Sequence, residues 1–229
     1  MNVINQLHKS RLLGATFHTL DYCLQKELSD CETVLDLGCG PSSPLQYCRH
    51  IKYSVGVEPF MPYLAKAQER KTHTEFLAER IEDLDFPEGS FDAIILIEVI
   101  EHLPEEVALE IIKKTEKWAK KKVIISSPNG FIGQKAVDNN LLQRHLSGWN
   151  LAKMQELGYH SHGLAGWKFL RQEAQNDTMG DDLLTSIRFR PKIFWFMLAA
   201  LSQIIIYFIP SLAFELFWVK KIKCPVVKF

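Results

Sequence analysis

Residues 34–40 read Val-Leu-Asp-Leu-Gly-Cys-Gly, an apolar run that ends in Asp36 and then in two glycines, Gly38 and Gly40, on either side of Cys39. A second apolar run, 53–57, ends in Glu58. A strand that turns directly into its connection needs residues without a β-carbon where the backbone passes close to a ligand. Ligands of open α/β sheets sit at the carboxyl ends of such strands. An acid closing the next strand is placed to accept hydrogen bonds from two ribose hydroxyls. The pairing therefore outlines an adenosine-containing cofactor site at the edge of a parallel sheet.

The rest of the chain has the rhythm such a sheet requires. Residues 4–29 form an amphipathic helical segment, with Leu12, Leu13, Phe17, Leu20 and Leu24 at helical spacing. Strands are predicted at 34–37, 53–57, 75–78, 91–97 and 123–126, and helices at 45–50, 63–70 and 105–119. Continuous apolar strands alternating with helices imply a parallel sheet covered on both faces. Beyond Asn129 the pattern loosens into a loop over 130–147, a helix at 151–157 and a weak strand at 159–164. An exposed polar connection is expected at 171–182. With 229 residues, 47% of them hydrophobic, the chain has enough material for one full core. The expected division is an N-terminal helical segment over 1–30 and a main domain over 31–229, with 185–213 an apolar insertion. No internal repeat is visible.

Net charge is zero, which disfavours a globally basic nucleic-acid binder. From Arg188 onward, however, Arg188, Arg190, Lys192, Lys220, Lys221, Lys223 and Lys228 stand against Glu215 alone. The five cysteines, Cys23, Cys31, Cys39, Cys48 and Cys224, are odd in number and form no Cys-x-x-Cys, as expected in a reducing, cytoplasmic setting. The N-terminus has no hydrophobic block of the secretory kind.

The glycine loop departs from a dinucleotide fingerprint, having Pro41 and Ser42 where a third glycine belongs. That disfavours a pyrophosphate. The order VLDLGCG, GVEP, DFPEGSFDAIILIEVIEHL is similar to the class I S-adenosylmethionine-dependent methyltransferases of the methyltransferase-11 kind, over roughly residues 30–165. The resemblance implies an α/β Rossmann-like sheet of seven strands whose last strand is antiparallel. It implies S-adenosyl-L-methionine as cofactor, with Asp36 and the Gly38, Cys39, Gly40 loop at its methionine moiety. Glu58 would lie on the ribose, and Pro59 and Phe60 beside the adenine. Where the family often has an Asp that accepts from the adenine amino group, this chain has Arg80, which cannot accept. The Ile81 backbone or Glu82 is expected to take that contact.

Glu98 closes the central strand where the resemblance places the methyl group, and Glu101 and His102 follow it. Two carboxylates and an imidazole within five residues make half a site for a divalent cation, with His145 the best further ligand. The cluster resembles those of small-RNA 2′-O-methyltransferases and of ubiquinone-pathway O-methyltransferases. The bland alternative is a structural turn with a locally bonded His102. His102 or His145, with Glu101 nearby, would equally serve as general base, an unshifted imidazole lying close to working pH. His145 and Trp149, in the loop after the fifth strand, are the candidate substrate contacts.

Residues 193–209 are apolar except for Ser202 and Gln203, and Pro210 ends them. As a helix they would be about 26 Å long, near the ~30 Å of a hydrocarbon core. If 214–222 is the last strand, the chain must return to the core at once, and a spanning helix cannot do so. The expectation is an apolar helix between the sixth and seventh strands that overhangs the active-site mouth as a lid, a lipid-docking surface or a dimer contact. Trp195, Phe196, Tyr207 and Phe208 beside basic residues suit an anionic membrane surface, hence a peripheral place on the inner membrane face. The function these features point to is methyl transfer to a small or lipid-like acceptor, O- or N-. The alternatives are an RNA 2′-O-methyltransferase using a divalent cation and a non-catalytic partner protein of the same fold. Oligomeric state is not encoded in any motif.

Overall fold

The structure is a computed structural model that describes residues 11–172 and 184–222. Helices α1 (Arg11–Phe17) and α2 (Leu20–Glu27) lead into strand β1 (Thr33–Leu37). There follow β2 (Tyr53–Val57), α3 (Met61–Arg70), β3 (Glu75–Leu77), β4 (Phe91–Ile97), α4 (Glu105–Trp118) and β5 (Ala119–Pro128). The chain ends with α5 (Leu151–Glu156), β6 (His160–Trp167), α6 (Lys192–Ile206) and β7 (Ala213–Lys221). The sheet has seven strands in the order β3-β2-β1-β4-β5-β7-β6. All run parallel except β7, which is antiparallel to both β5 and β6. This is the α/β Rossmann-like architecture expected, with its last strand reversed.

The central strands β1 and β4 are apolar on both faces because helices cover both. Leu35, Leu37, Ile94 and Leu96 enter one core with Ile111, Ile112 and Trp118 of α4, while Val34, Ala93 and Ile95 enter the other with Leu24 and Leu28. Helix α4 buries Ala108, Ile111, Ile112, Thr115 and Trp118, a three-to-four spacing that lays one stripe on the sheet. Glu105 and Glu106 in its first turn complement the positive end of the helix dipole.

Three expectations are corrected. The N-terminal segment is not one helix within the described residues. His18 takes a left-handed conformation (φ 47°) and Thr19 caps a new helix, its Oγ1 accepting from Tyr22 N–H at 3.4 Å. Residues 45–50 are not an α-helix but a single 3-10 turn, Pro44–Tyr47, capped by Ser43, whose Oγ accepts from Leu45 N–H. Residues 4–10, the connection at 173–182, Cys224, Lys223 and Lys228 lie outside the described residues. The third correction concerns the apolar run. It is a helix lying between β6 and β7 in sequence, but it packs on edge strand β6 and on α1. Its clamp explains why. Gln203 Nε2 donates to Gly163 O at 2.9 Å, and Gly166 N–H and Trp167 N–H donate to Gln203 Oε1 and Ser202 Oγ at 2.6 and 3.0 Å. The two polar residues of the run thus saturate a bulge in β6, where the register with β7 shifts between Leu164 and Trp167. Among the described residues no helix is long and apolar enough to cross a membrane.

Candidate active site

The 38–40 loop leaves β1 in left-handed backbone, φ 73° at Gly38 and 57° at Gly40. A β-carbon on Gly38 would stand 2.6 Å from Val99 Cγ2, whereas one on Gly40 would meet nothing within 4 Å and so point into open space. The first glycine is therefore required by close packing on the segment after β4, and the second is favoured by its left-handed backbone alone, with open space on its β-carbon side. Gly38 and Cys39 N–H both donate to Val57 O, at 2.9 and 3.0 Å, and Gly40 N–H donates to Glu58 Oε2 at 3.1 Å. The loop amides are thus engaged internally, and no α-helix starts behind them. A phosphate would find neither free amides nor a helix N-terminus there. A cofactor without phosphates fits.

Glu58 is 5% exposed and is held by two amides, Gly40 N–H on Oε2 and Phe60 N–H on Oε1 (2.8 Å). Each oxygen keeps a lone pair for a further donor, which suits two vicinal hydroxyls. Burial raises its pKa above the ordinary value, with the nearby Asp36 charge adding to the rise and the two amides opposing it. Asp36 lies beneath the loop, buried, its Oδ2 accepting from Ser43 Oγ–H at 2.5 Å and from His73 Nε2–H at 3.0 Å. His73 Nδ1 in turn lies 2.8 Å from Thr72 Oγ1. Sequence reasoning missed His73, since an isolated histidine before a short strand carries no signal of a partner in β1. Pro59 and Phe60 are half-buried, Ile81 is buried, and the Cys39 thiol is pushed up by burial and by the Asp36 and Glu58 charges, so it is inert.

Across the cleft, Glu98 ends β4 in a left-handed conformation rare for a residue with a side chain (φ 55°). Its Oε1 accepts from Ser126 Oγ–H at 2.9 Å. Glu101 is 2% exposed, and its carboxyl meets no amide, hydroxyl or ammonium donor of another residue and is paired with the carboxyl of Glu98. One ligand atom from each of Glu101, His102 and His145 falls within 4.8 Å of the others. The rings of His102 and His145 are 4.8 Å apart. His102 Nδ1 faces Arg144 O at 3.2 Å and His145 Nδ1 faces Ile132 O at 2.6 Å. Those carbonyls favour Nδ1–H as the donor of each ring, and the Gln143 backbone also bonds His102. Glu101, His102 and His145 are thus brought together, and Glu98 joins them through the carboxyl of Glu101 while its Oε1 accepts from Ser126.

Burial pushes the Glu101 carboxyl up to about 8. Glu98 is raised well above its ordinary value by burial and by the Glu101 and Glu215 charges. Glu215, on β7 opposite Pro128, is a third carboxylate near this group that the sequence reading passed over. It is the first acid after a long acid-free stretch, and that contrast was the available signal. A second correction is electrostatic. His102 is lowered to about 4, by burial first and then by His145, so it is a neutral imidazole and not a base poised near neutrality. A buried carboxyl beside two imidazoles whose Nδ1 faces a backbone carbonyl is the donor set a divalent cation takes.

The loop carrying His145 closes the site from above. Leu146 and Ser147 N–H donate to Glu101 O at 2.7 and 3.1 Å, and Tyr63 O–H of α3 donates to Asp138 Oδ2 at 2.8 Å. The loop therefore arches from β5 to the far side of Glu58. Trp149 is fully buried, with Nε1–H donating to Ser147 Oγ, and so anchors the loop from within the core.

Residues 35–123 match the family described as a methyltransferase domain. No curated protein matches the chain at a significant level. Among solved structures, a SAM-dependent methyltransferase from Archaeoglobus fulgidus is similar at 14% identity and TM-score 0.52, over 92% of this chain and 98% of that one. The methyltransferase domain of bacterial CtHen1-C is similar at 18% identity and TM-score 0.51, over 93% and 97%. A protein from Pyrococcus horikoshii OT3 is 24% identical, with TM-score 0.44, over 50% of this chain; the chain spans 57% of that protein. Residues 35–123 thus match a methyltransferase domain, from β1 into β5 and including Gly38, Gly40, Glu58 and the 98–102 segment, and the two structures that align over most of the chain share its α/β fold.

Proposed function

We propose that the protein transfers the methyl group of S-adenosyl-L-methionine to a hydroxyl of a small or lipid-like acceptor held against Glu101, His102 and His145. The observation that carries this reading is the buried Glu101 carboxyl, which no amide or hydroxyl donor of another residue reaches, beside two imidazoles. In the reaction Glu58 accepts from the ribose hydroxyls, Gly38, Cys39 and Gly40 form the floor under the methionine portion, and Asp36 offers that portion its second oxygen. Pro59, Phe60 and the Ile81 backbone border the adenine, and Glu98 lies nearest the methyl group. The main contribution of the protein is alignment of acceptor, methyl carbon and sulfur in line.

A hydroxyl must lose its proton as it attacks. Burial pushes the Glu101 carboxyl up to about 8, so the ionised form that takes the proton grows as pH rises toward 8, and the rings of His102 and His145 border the acceptor O–H. A divalent cation seated on Glu101, His102 and His145 would supply a positive centre that acidifies a bound hydroxyl. A ribose hydroxyl of RNA is the competing acceptor for the same three residues, and neutral net charge weighs against it.

Calorimetry with S-adenosyl-L-methionine, followed by transfer of labelled methyl to a panel of quinols, phenols, hydroxylated lipids and RNA ends, tests the reading. Labelled quinol, phenol or lipid supports it, and label confined to RNA selects the alternative. Absence of cofactor binding by folded protein excludes the enzyme and leaves a partner protein of the same fold.

A further inference from the structure

Helix α6 is apolar all round, yet it covers the sheet with one side only. Phe196, Ala199, Gln203 and Ile206 are buried, Gln203 at the bulge of β6. On the other side Ile193, Met197, Leu201 and Ile205 form an unbroken ladder at intervals of four residues, exposed by 70, 55, 53 and 63%. A helix hydrophobic on every face is normally enclosed, and a contiguous exposed face of this kind marks a contact with something else.

What that contact is can be read from the end of the helix. Around the first turn of α6, Trp167, Phe169, Phe189, Trp195 and Phe194 make a continuous chain of ring contacts at 5.1–5.5 Å. Lys168, Arg188 and Arg190, all exposed, and Lys192 stand among those rings, Arg188 lying 6.0 Å over Phe169. From Leu184 to Phe214 there is no acidic residue. A second copy of the chain docked face to face would bring these cations together with no carboxylate in the segment to neutralise them. A plane of anionic headgroups supplies that neutralisation, and tryptophan rings beside basic side chains favour the zone between headgroups and acyl chains.

We propose that α6 is a monotopic docking face that seats the protein on an anionic lipid bilayer, with the 193–205 ladder in the acyl boundary and Lys168, Arg188, Arg190 and Lys192 on the headgroups. The helix lies in the interface and does not cross it. Its fifteen residues span about 22 Å, short of a ~30 Å core, and the Ser202 and Gln203 clamp holds it to β6. The surface also runs toward the reaction site. Exposed Phe208 and Leu212 follow α6, and Asn129, where the His145 loop begins, donates through Nδ2 to Ala213 O at 2.9 Å and through N–H to Phe214 O at 2.9 Å. On the functional reading above, a docked molecule takes its acceptor from the bilayer itself.

The test is flotation of the full chain with vesicles of phosphatidylcholine alone or mixed with phosphatidylglycerol, with circular dichroism and a urea melt on every variant as the check of folding and cofactor calorimetry beside them. The native chain should float with the anionic vesicles and release them as salt is raised. The triple variant Arg188→Gln, Arg190→Gln, Lys192→Gln should bind anionic vesicles about a hundredfold more weakly. Met197→Glu, Leu201→Glu, Ile205→Glu should abolish flotation while cofactor binding persists. Failure of the native chain to float overturns the proposal, as does flotation unchanged in the ladder variant. Light scattering that shows a dimer dispersed by the ladder substitutions, without vesicle binding, overturns it in favour of self-association. A chain that binds cofactor but not vesicles loses only the docking face, and one that binds vesicles but no cofactor loses only the reaction.

Discussion

His73 Nε2 and Asp36 Oδ2 meet at 3.0 Å beneath the glycine loop, with side chains 0% and 2% exposed. The contact joins β1 to the turn before β3 across β2, and a β-carbon on the intervening Gly56 would stand 2.8 Å from His73 Nδ1. Asp36 is thereby fixed under the loop that closes over Glu58. His73→Ala leaves a buried carboxylate short of a donor, which costs about 2 kcal/mol. We expect a matching drop in the urea midpoint, together with weaker S-adenosyl-L-methionine binding by calorimetry, because the loop loses its support from below. Unchanged cofactor affinity in the variant would show that the pair serves the core alone.

The Tyr63–Asp138 hydrogen bond ties the arching loop to the far side of the cofactor cleft. Tyr63→Phe removes that bond and nothing else of the ring packing on Phe60. Stability should fall by about 1 kcal/mol. Cofactor release, followed by stopped-flow fluorescence, should accelerate by several-fold because the loop opens more often. An unaltered release rate would mean that the loop does not gate the cleft.

The strands 53–57 and 91–97 were legible to the residue, since each is a continuous apolar run between polar turns. The 45–50 segment was not, because Pro44 and the Ser43 hydroxyl, committed to Asp36 and Leu45 N–H, tighten it into a 3-10 turn. Glu101, His102 and His145 were visible as chemistry-bearing types, but their electrostatics were not. The depression of His102 depends on burial and on an imidazole forty-three residues away. His73 and Glu215 act across strands, and no local spacing announces such partners.

Tyr207 is stacked between His18 and His162, at 4.0 and 4.4 Å between ring centroids, joining α1, α6 and β6. Both imidazoles are lowered from 6.5, chiefly by burial, with Lys26 adding to each and Glu27 opposing at His162. Unfolding frees them to take up protons. The stability they contribute is therefore complete above 6.5 and is lost as pH falls through their depressed folded values. His102 adds a loss of the same sign that begins at the same 6.5 and continues down to about 4. The double variant His18→Phe, His162→Phe keeps rings against Tyr207 and should flatten the change in urea midpoint between about pH 7.5 and 5.5. An equal slope in variant and native chain would place the proton uptake elsewhere.

Two glycines should separate folding from cofactor binding. A β-carbon on Gly163 would stand 2.3 Å from Ile206 O and 2.7 Å from Ala213 Cβ, so Gly163→Ala must push α6 away from β6. Overpacking of that kind costs about 1–3 kcal/mol. The variant should melt earlier while binding S-adenosyl-L-methionine with native affinity, since the clash lies at the β6 edge. Gly40→Ala meets no atom within 4 Å, and its cost to the fold is the left-handed backbone alone (φ 57°), about 1 kcal/mol. Its new methyl group enters the space the cofactor is to occupy, and calorimetry should register a loss of affinity of at least about tenfold, equivalent to ~1.4 kcal/mol. If Gly40→Ala binds as the native chain does, the open side of the loop is not the cofactor side, and the cleft must be sought on the opposite face of Glu58.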